Sequence, residues 1–186
     1  YSVDADGTMH EVTKRAGGLE VVHLDEPGTL SDSLSEQAIK AVISGPINGT
    51  DIQYLRKLIN EGTLQSVDLS GATIVSGGEA YYETFETTSG EVGEDFFYES
   101  PRLVSLILPE SVTRIGRQAF AHSGLQGVMI PDSVTNVQFD AFAYCDQLSK
   151  VVIGSGVKRI EQGAFYSSEV KDVYVKPTTP PSVSLY

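Results

Sequence analysis

Pro109 to Ile130 reads Pro-Glu-Ser-Val-Thr-Arg-Ile-Gly-Arg-Gln-Ala-Phe-Ala-His-Ser-Gly-Leu-Gln-Gly-Val-Met-Ile, and this stretch decides the fold because it recurs. Aligned copies run from Pro131 to Ile153 and from Gly154 to Val175. Phenylalanines with spacings of 23, 22 and 23 residues mark these copies and one earlier unit, at Phe97, Phe120, Phe142 and Phe165. Repetition at such a period is typical of a solenoid, in which each coil buries its apolar face against the next.

Each copy holds two apolar patterns, one for each side of a coil. The pattern Leu-x-x-Val-x-Ile, at Leu125, Val128 and Ile130, predicts a short strand with alternating burial. The pattern Val-x-x-Ile-x-x-x-Ala-Phe predicts a second strand followed by a short helical or 3₁₀ turn. The phenylalanines should then stack as a ladder between coils, each removing about 150 Å² or more from water. The fold class predicted is an α/β repeat with short parallel strands.

The shared pattern, Val-Thr-x-Ile-Gly-x-x-Ala-Phe-x-x-Cys-x-x-Leu-x-x-Val-x-Ile-Pro, resembles the BspA-like leucine-rich repeats of bacterial surface proteins over about residues 88–176. One copy keeps the family's cysteine, at Cys145, and the others carry serine there. The resemblance implies a right-handed leucine-rich-repeat solenoid. It also implies an exported protein at the cell surface, either anchored to the outer membrane or secreted, that adheres to host matrix proteins or to other cells.

Three regions are predicted along the chain. Residues 1–61 should form an N-terminal α/β cap that leads into the solenoid, because terminal repeats are atypical. This cap contains a predicted helix from Thr50 to Asn60, with Thr50 or Asp51 as its N-terminal cap residue. Residues 62–176 should be leucine-rich repeats. Residues 177–186 are expected to be a truncated C-terminal tail, because the last strand would otherwise present an open edge.

One coil carries an insertion. Its strand anchors, Val67 and Leu106, are 39 residues apart instead of 22 or 23, which places the extra residues near 76–90. Residues 76–100 hold seven acids and no base. The inserted aromatic residues are Tyr81, Tyr82 and Phe85. Two interpretations remain open: an acidic loop whose aromatics fold back onto the neighbouring coil, or a recognition loop on a binding face.

The formal net charge of −12 lies mostly in the N-terminal part of the chain. Residues 1–100 carry 18 acids against 5 bases, whereas residues 101–186 carry 7 against 8. This excess of acid argues against nucleic acid and anionic membrane surfaces as partners. The single cysteine, Cys145, excludes an intrachain disulfide and a multi-thiolate zinc site.

No arrangement of residues predicts catalysis. The histidines, His10, His23 and His122, are far apart in sequence, and metalloprotease, phosphate-loop and Gly-x-Ser-x-Gly patterns are absent. Gly154-Ser-Gly156 occupies a turn position of the repeat, which explains its glycines. We therefore expect no enzyme activity, no cofactor and no metal.

Functional residues are expected where the repeat does not dictate the side chain. On the exposed face of the strand sheet, one apolar column consists of Ile107, Met129, Val152 and Tyr174. Such a surface predicts a protein-binding site, although cross-strand pairing or cover by a flanking segment would also explain it. A second hypothesis is glycan capture by Tyr81, Tyr82 and Tyr174. A third is a structural stalk that presents another domain.

Overall fold

The computed structural model describes residues 2–3, 9–10, 18–176 and 179–183. The helices are α1 (Leu30–Ser33) and α2 (Gly49–Asn60). The strands are β1 (Ser2–Val3), β2 (Met9–His10), β3 (Leu19–His23), β4 (Lys40–Ile47), β5 (Ser66–Ile74), β6 (Gly77–Tyr82), β7 (Phe85–Thr87), β8 (Glu91–Val92), β9 (Ser105–Ile107), β10 (Arg114–Ile115), β11 (Gly127–Met129), β12 (Asn136–Val137), β13 (Lys150–Ile153), β14 (Arg159–Ile160), β15 (Asp172–Val175) and β16 (Ser182–Val183).

Seven strands stack along one side of the solenoid. Strands β3, β4, β5 and β9 form a parallel sheet, which β11, β13 and β15 continue as a second parallel sheet. Where the two meet, the Gln126 N–H donates to the carbonyl oxygen of Val104 at 3.2 Å. The other side of the coils is a parallel sheet of β8, β10, β12, β14 and β16. The predicted solenoid of short parallel strands is confirmed.

The coils pair in the register that the repeat predicts. Val151 lies between Val128 and Val173 in the strand sheet. The rings of Phe97, Phe120, Phe142 and Phe165 stack in order, with centroids 6.4, 5.0 and 5.2 Å apart. The first three of these side chains are fully buried. The predicted phenylalanine ladder is therefore confirmed.

The turn before and after each phenylalanine is a series of short hydrogen-bonded turns and not a continuous helix. In the coil that contains Phe120, the Ala121 N–H donates to the Gln118 carbonyl. The residues two positions on either side of the phenylalanine, Gln118 and His122, both have positive φ. Between coils, the Phe120 N–H donates to the Ala141 carbonyl at 2.8 Å. We call these bonds, in which an N–H of one coil donates to a carbonyl of the next, the turn ladder.

Helix α2 is confirmed, but its cap differs from the prediction. The cap residue is Asn48, whose side chain accepts from the Thr50 N–H at 3.0 Å. Asp51 is buried in the first turn and accepts from the N–H groups of Gly28 and Leu30 at 2.6 and 3.0 Å. The prediction of Thr50 or Asp51 as the cap is wrong, because Asp51 is the third helical residue, where its carboxylate accepts from the Asn48 N–H at 2.9 Å and completes a capping box.

The segment predicted as the cap shares the sheet of the repeats. Strand β3 pairs in parallel with β4, and β4 with β5, so residues 19–47 add two rungs to the strand sheet. Helix α2 packs against α1, β4 and β6. The inserted residues form an antiparallel hairpin of β6 and β7.

Candidate functional site

The exposed face of the strand sheet carries the apolar residues that the sequence singled out. Met129 pairs with Val152, and Val152 with Tyr174, while Ile107 lies in the neighbouring strand β9. The side chains of Ile107, Met129 and Tyr174 are 50%, 56% and 55% exposed, and Val152 is half-buried. The structure therefore brings these four residues together on one face.

The column continues into the first coils, which no sequence prediction covers. Ile107 pairs with Asp68, Asp68 with Val42, and Val42 with Val21. Val21 is 58% exposed, and Val42 is half-buried. At a strand spacing of roughly 4.8 Å, the seven rungs span about 29 Å. We call the six apolar members the apolar column: Val21, Val42, Ile107, Met129, Val152 and Tyr174.

The sequence carries a misleading signal for this extension. Leu19-x-x-Val22-x-Leu24 has the spacing of the repeat's strand pattern, which would place His23 where the last copy has Tyr174. In the structure Val22 pairs with Ile43 and Glu20 with Ala41, so the buried anchors are Glu20 and Val22, and the outward residue between them is Val21. The strand pattern alone therefore gives the wrong register for β3.

Polar side chains flank the apolar column. Lys150 and Asp172 pair in the adjacent row, and the Lys150 ammonium lies 5.1 Å from the ring centroid of Tyr174. Asp68 interrupts the column, where its carboxylate accepts from the Ser70 N–H at 2.8 Å. A mostly apolar centre with a polar border is the usual composition of a protein-binding patch.

The aromatics of the insertion fold back onto the neighbouring coil. Tyr81 is 3% exposed, and its hydroxyl donates to the Glu94 carbonyl at 2.5 Å. Its ring packs against Phe96 with centroids 5.2 Å apart, and burial raises the pKa of its hydroxyl. Tyr81 is therefore inaccessible to a glycan, and its inclusion among the predicted glycan-binding residues is wrong. Tyr82 and Phe85 also pack against the core.

The structure does not bring together the tyrosines of the glycan hypothesis. Tyr82 lies beside Tyr98 among the turns, with ring centroids 5.9 Å apart, and the Arg56 guanidinium covers it at 4.3 Å from the centroid. Tyr174 belongs to strand β15 of the strand sheet. Tyr82, which is half-buried, and Tyr174, which is exposed, therefore lie in different parts of the coil.

Arg56 has a structural role that the sequence predictions missed. It is 7% exposed, and its Nη1 donates to the carbonyl oxygens of Asp95 and Phe96, each at 2.9 Å. Its Nη2 donates to the carbonyl oxygen of Tyr98 at 3.1 Å. The sequence signal for this role is a charged residue on the buried part of α2, between Leu55 and Leu58.

The described residues offer little for covalent or metal chemistry. Among them, no group of three or more His, Cys, Asp or Glu side chains is placed to hold a metal ion. Cys145 is buried, its thiol donates to the Phe120 carbonyl at 3.1 Å, and burial raises its pKa. A buried thiol of this kind is a poor nucleophile. Neither α1 nor α2, the helices of the described residues, is long and apolar enough to cross a membrane.

These features define a leucine-rich-repeat solenoid with an exposed parallel sheet. The family model described as BspA type leucine rich repeat region matches residues 80–180 with six copies. The chain belongs to this family.

Two solved structures are similar to this chain. One is a leucine rich cell surface protein from Faecalibacterium prausnitzii, with 16% identity and a TM-score of 0.51, over 96% of this chain and 38% of that one. The other is a leucine-rich repeat protein from Bacteroides ovatus, with 14% identity and a TM-score of 0.39, over 97% and 54% of the two chains. The present chain thus spans 38% and 54% of their lengths. A comparison with curated proteins finds no significant match.

Proposed function

We propose that this protein is a non-enzymatic module of the bacterial cell surface that binds a protein partner through the apolar column. The observation that carries the proposal is the exposure of Ile107, Met129 and Tyr174, each at least half exposed, which with the half-buried Val152 form an uninterrupted apolar stretch of the strand sheet. Val21 and Val42 continue the line beyond Asp68. Folded proteins rarely leave contiguous apolar surface of this extent uncovered unless it binds something.

The rigidity of the face supports this function. The strand sheet is fixed from behind by buried side chains such as Leu106, Val128 and Phe120. Neighbouring strands are also joined by parallel pairing from β3 to β9 and from β11 to β15. A partner that docks on such a preformed surface loses little free energy to ordering the protein.

Export and surface location are part of the proposal. Their support is membership of a repeat family of bacterial surface proteins and the likeness of fold to a protein described as a cell surface protein. The partner class that fits an apolar column with a polar border is a folded protein, for which host matrix proteins are the first candidates to test.

The test is a binding screen of the whole chain against purified matrix proteins and against polysaccharides, read by interferometry. A double variant, Ile107→Lys with Met129→Lys, places two charges in the centre of the column. We expect it to weaken binding of a matrix protein by more than about tenfold, because desolvating a lysine in an apolar interface is costly. Both side chains are half exposed, so the fold should be retained, as circular dichroism would show.

A matched control adds the same two charges elsewhere. Ser111 and Ser155 are exposed turn residues outside the column, and the variant Ser111→Lys with Ser155→Lys should bind as the wild type does. Equal loss in both variants, or unchanged affinity in the column variant, would contradict the proposal. Binding of a polysaccharide alone, lost on Tyr174→Ala, would favour the glycan alternative.

A further inference from the structure

The uninterrupted stretch of the apolar column, from Ile107 to Tyr174, is one residue wide. On the same face, the residues two positions earlier in these strands are Ser105, Gly127, Lys150 and Asp172, none of which is apolar and large. On the other side, the residues two positions later in the first three of these coils are buried, at Pro109, Pro131 and Gly154. A partner can therefore cover this stretch with a single ridge of apolar side chains.

The spacing of the column favours a helix as that ridge. Its members lie on neighbouring strands, about 4.8 Å apart. One face of an α-helix returns about every 5.4 Å, and one face of an extended chain about every 6.7 Å. To match the column, a helix must tilt by about 27° and an extended chain by about 44°.

These tilts decide which ridge stays on the column. Over the roughly 14 Å from Ile107 to Tyr174, a helix at its matching tilt drifts sideways by about 7 Å, which is about the width of one residue row. An extended chain at its own matching tilt drifts by about 14 Å and crosses the polar rows. A helix can therefore keep its apolar side chains on the whole stretch, and an extended chain cannot.

A depression lies beside the middle of the column. Gly127 has no side chain and precedes Met129 by two residues on the same face. A Cβ placed on Gly127 would lie 3.5 Å from the Lys150 carbonyl oxygen and 3.8 Å from the Lys150 Cβ, which are ordinary contacts. The fold therefore does not need glycine here to avoid a clash. The depression can receive a side chain from the ridge of a helix, as the grooves of packed helices do.

The two borders of the column differ in charge. The border at the beginning of the strands carries three exposed lysines and one exposed acid: Lys40, Lys150, Lys171 and Asp172. The border at the end of the strands carries two exposed acids and one exposed lysine: Glu110, Asp132 and Lys176. This lysine pairs with Asp132 at 3.1 Å, and the half-buried Asp68 adds a further acid beside Ile107. Complementary charge therefore favours an occupant with one acidic side and one basic side.

We propose that the apolar column binds an amphipathic α-helix of the partner protein, about three turns long, whose apolar stripe has acidic residues along one side and basic residues along the other. Its apolar side chains, at positions i, i+4, i+7 and i+11, meet Ile107, Met129, Val152 and Tyr174. Its acidic side faces the lysine border, and its basic side faces Glu110. The inference rests on the proposed function, because it names the partner that the same surface takes.

The experiment uses the whole chain and three labelled peptides of about 15 residues and one composition. The first has leucines at i, i+4, i+7 and i+11, with glutamates on one side and lysines on the other. The second has its leucines on alternate residues, so it is amphipathic only as an extended chain. The third has the leucine pattern of the first, with both kinds of charge mixed on each side.

Fluorescence anisotropy measures the affinity of each peptide, and circular dichroism of the mixture measures the helix formed on binding. We expect the first peptide to bind more than about fivefold tighter than the second and about threefold tighter than the third, because two to three exposed charge pairs contribute little each. Its helicity should rise on binding. Equal or tighter binding of the second peptide would show an extended occupant and overturn the inference.

Variants of the protein test the borders and the depression. Lys150→Gln with Lys171→Gln should weaken the first peptide about threefold and change the third less than about twofold. The matched control, Lys57→Gln with Lys158→Gln, neutralises exposed lysines outside the strand sheet and should have no measurable effect. Gly127→Gln fills the depression and should also weaken the first peptide about threefold. Equal effects of the two lysine pairs, with no effect of Gly127→Gln, would overturn the inference.

The column variant, Ile107→Lys with Met129→Lys, separates the failure of this inference from the failure of the proposed function. Loss of both matrix-protein binding and binding of the first peptide in this variant supports the two together. Loss of matrix-protein binding, with the first peptide bound no better than the second by the wild type, would overturn the helical partner and leave the proposed function standing. Unchanged matrix-protein binding in the column variant would overturn the proposed function and this inference with it.

Discussion

The Arg56 guanidinium donates to the carbonyl oxygen of Tyr98 at 3.1 Å, and in the next coil the equivalent carbonyl, that of Ala121, accepts from the Glu99 N–H at 3.0 Å. A side chain of α2 therefore replaces a backbone donor that a preceding coil would have supplied. Tyr81 does the same for the Glu94 carbonyl. Helix α2 and the hairpin close the N-terminal end of the turn ladder, where unpaired buried carbonyls would otherwise be costly.

Removing Arg56 should destabilise the whole array. In Arg56→Met the carbonyl groups of Asp95, Phe96 and Tyr98 lose their donor while remaining largely buried, so we expect a loss of about 3 kcal/mol in the free energy of unfolding. Urea denaturation measures this loss. Lys57→Met, at an exposed site on the same helix, is the control and should have little effect. Similar midpoints for the two variants would show that Arg56 does not close the ladder.

The phenylalanine ladder should be strongest in its middle. Phe142 is fully buried between Phe120 and Phe165, so Phe142→Ala should cost about 3–5 kcal/mol through lost burial and a cavity. Phe165 is only half-buried, and Phe165→Ala should cost clearly less. Chemical denaturation of the two variants side by side gives the comparison. A larger loss at Phe165 would contradict the idea that nearest-neighbour stacking sets stability.

Two glycines of one coil should respond differently to alanine. A Cβ at Gly124 would overlap the backbone carbonyl of Pro101, whereas at Gly127 it would sit 3.5 Å from the Lys150 carbonyl, an ordinary contact. Gly124→Ala should therefore lose about 1–3 kcal/mol, because the coils must separate. Gly127→Ala should be neutral or slightly stabilising, since a strand glycine is entropically costly. Thermal unfolding of the two variants measures this difference. Equal melting temperatures would contradict the close approach of the Gly124 backbone to the Pro101 carbonyl.

Asp95 should make stability depend on pH. Burial, with the charge of Glu94 second, raises the pKa of Asp95 from 3.8 to about 6, and its Oδ1 is buried without a hydrogen-bond partner. The folded state binds this proton more tightly than the unfolded state, so the stabilisation is complete below pH about 4 and is lost as pH rises to about 6.

Replacing the carboxyl of Asp95 should therefore raise the stability of the fold only at neutral pH. We expect Asp95→Asn to raise the melting temperature by about 1–3 °C at neutral pH, a modest effect because the side chain is partly exposed, and to change it little near pH 4. Asparagine also tolerates the positive φ of this position. Asp146→Asn removes the same charge at an exposed site and is the control. A gain that persists unchanged at acidic pH would contradict the assignment.

The periodicity of apolar residues was enough to predict the solenoid and part of its exposed face. Strand positions repeat at constant offsets, so aligning Leu125, Val128 and Ile130 with their copies also aligns the outward residues between them. This is why the sequence alone places Ile107, Met129, Val152 and Tyr174 in one column. Val21 does not follow from this rule, because its strand has Glu20 at the anchor position where the later copies have an apolar residue.

The aromatic contacts among Tyr98, His122, Tyr144 and Tyr166 on the turns could not be predicted in this way. Tyr98 and Tyr166 follow their phenylalanines by one residue, whereas His122 and Tyr144 follow theirs by two. No single repeat position contains all four residues. The turns bring these rings together only because neighbouring backbones are stacked and hydrogen-bonded in three dimensions.

The sequence by itself therefore determined the repeating unit, its strand register and the buried phenylalanine ladder, because burial in a stacked array forces apolar residues into a regular period. Only the tertiary structure decided how the array is closed and which aromatics remain accessible. Arg56 and Tyr81 lie at least 13 residues from the carbonyls they satisfy, so no local pattern encodes those contacts. They exist because the first coils lack the phenylalanine turn, and the packing of α2 and the hairpin supplies the missing donors.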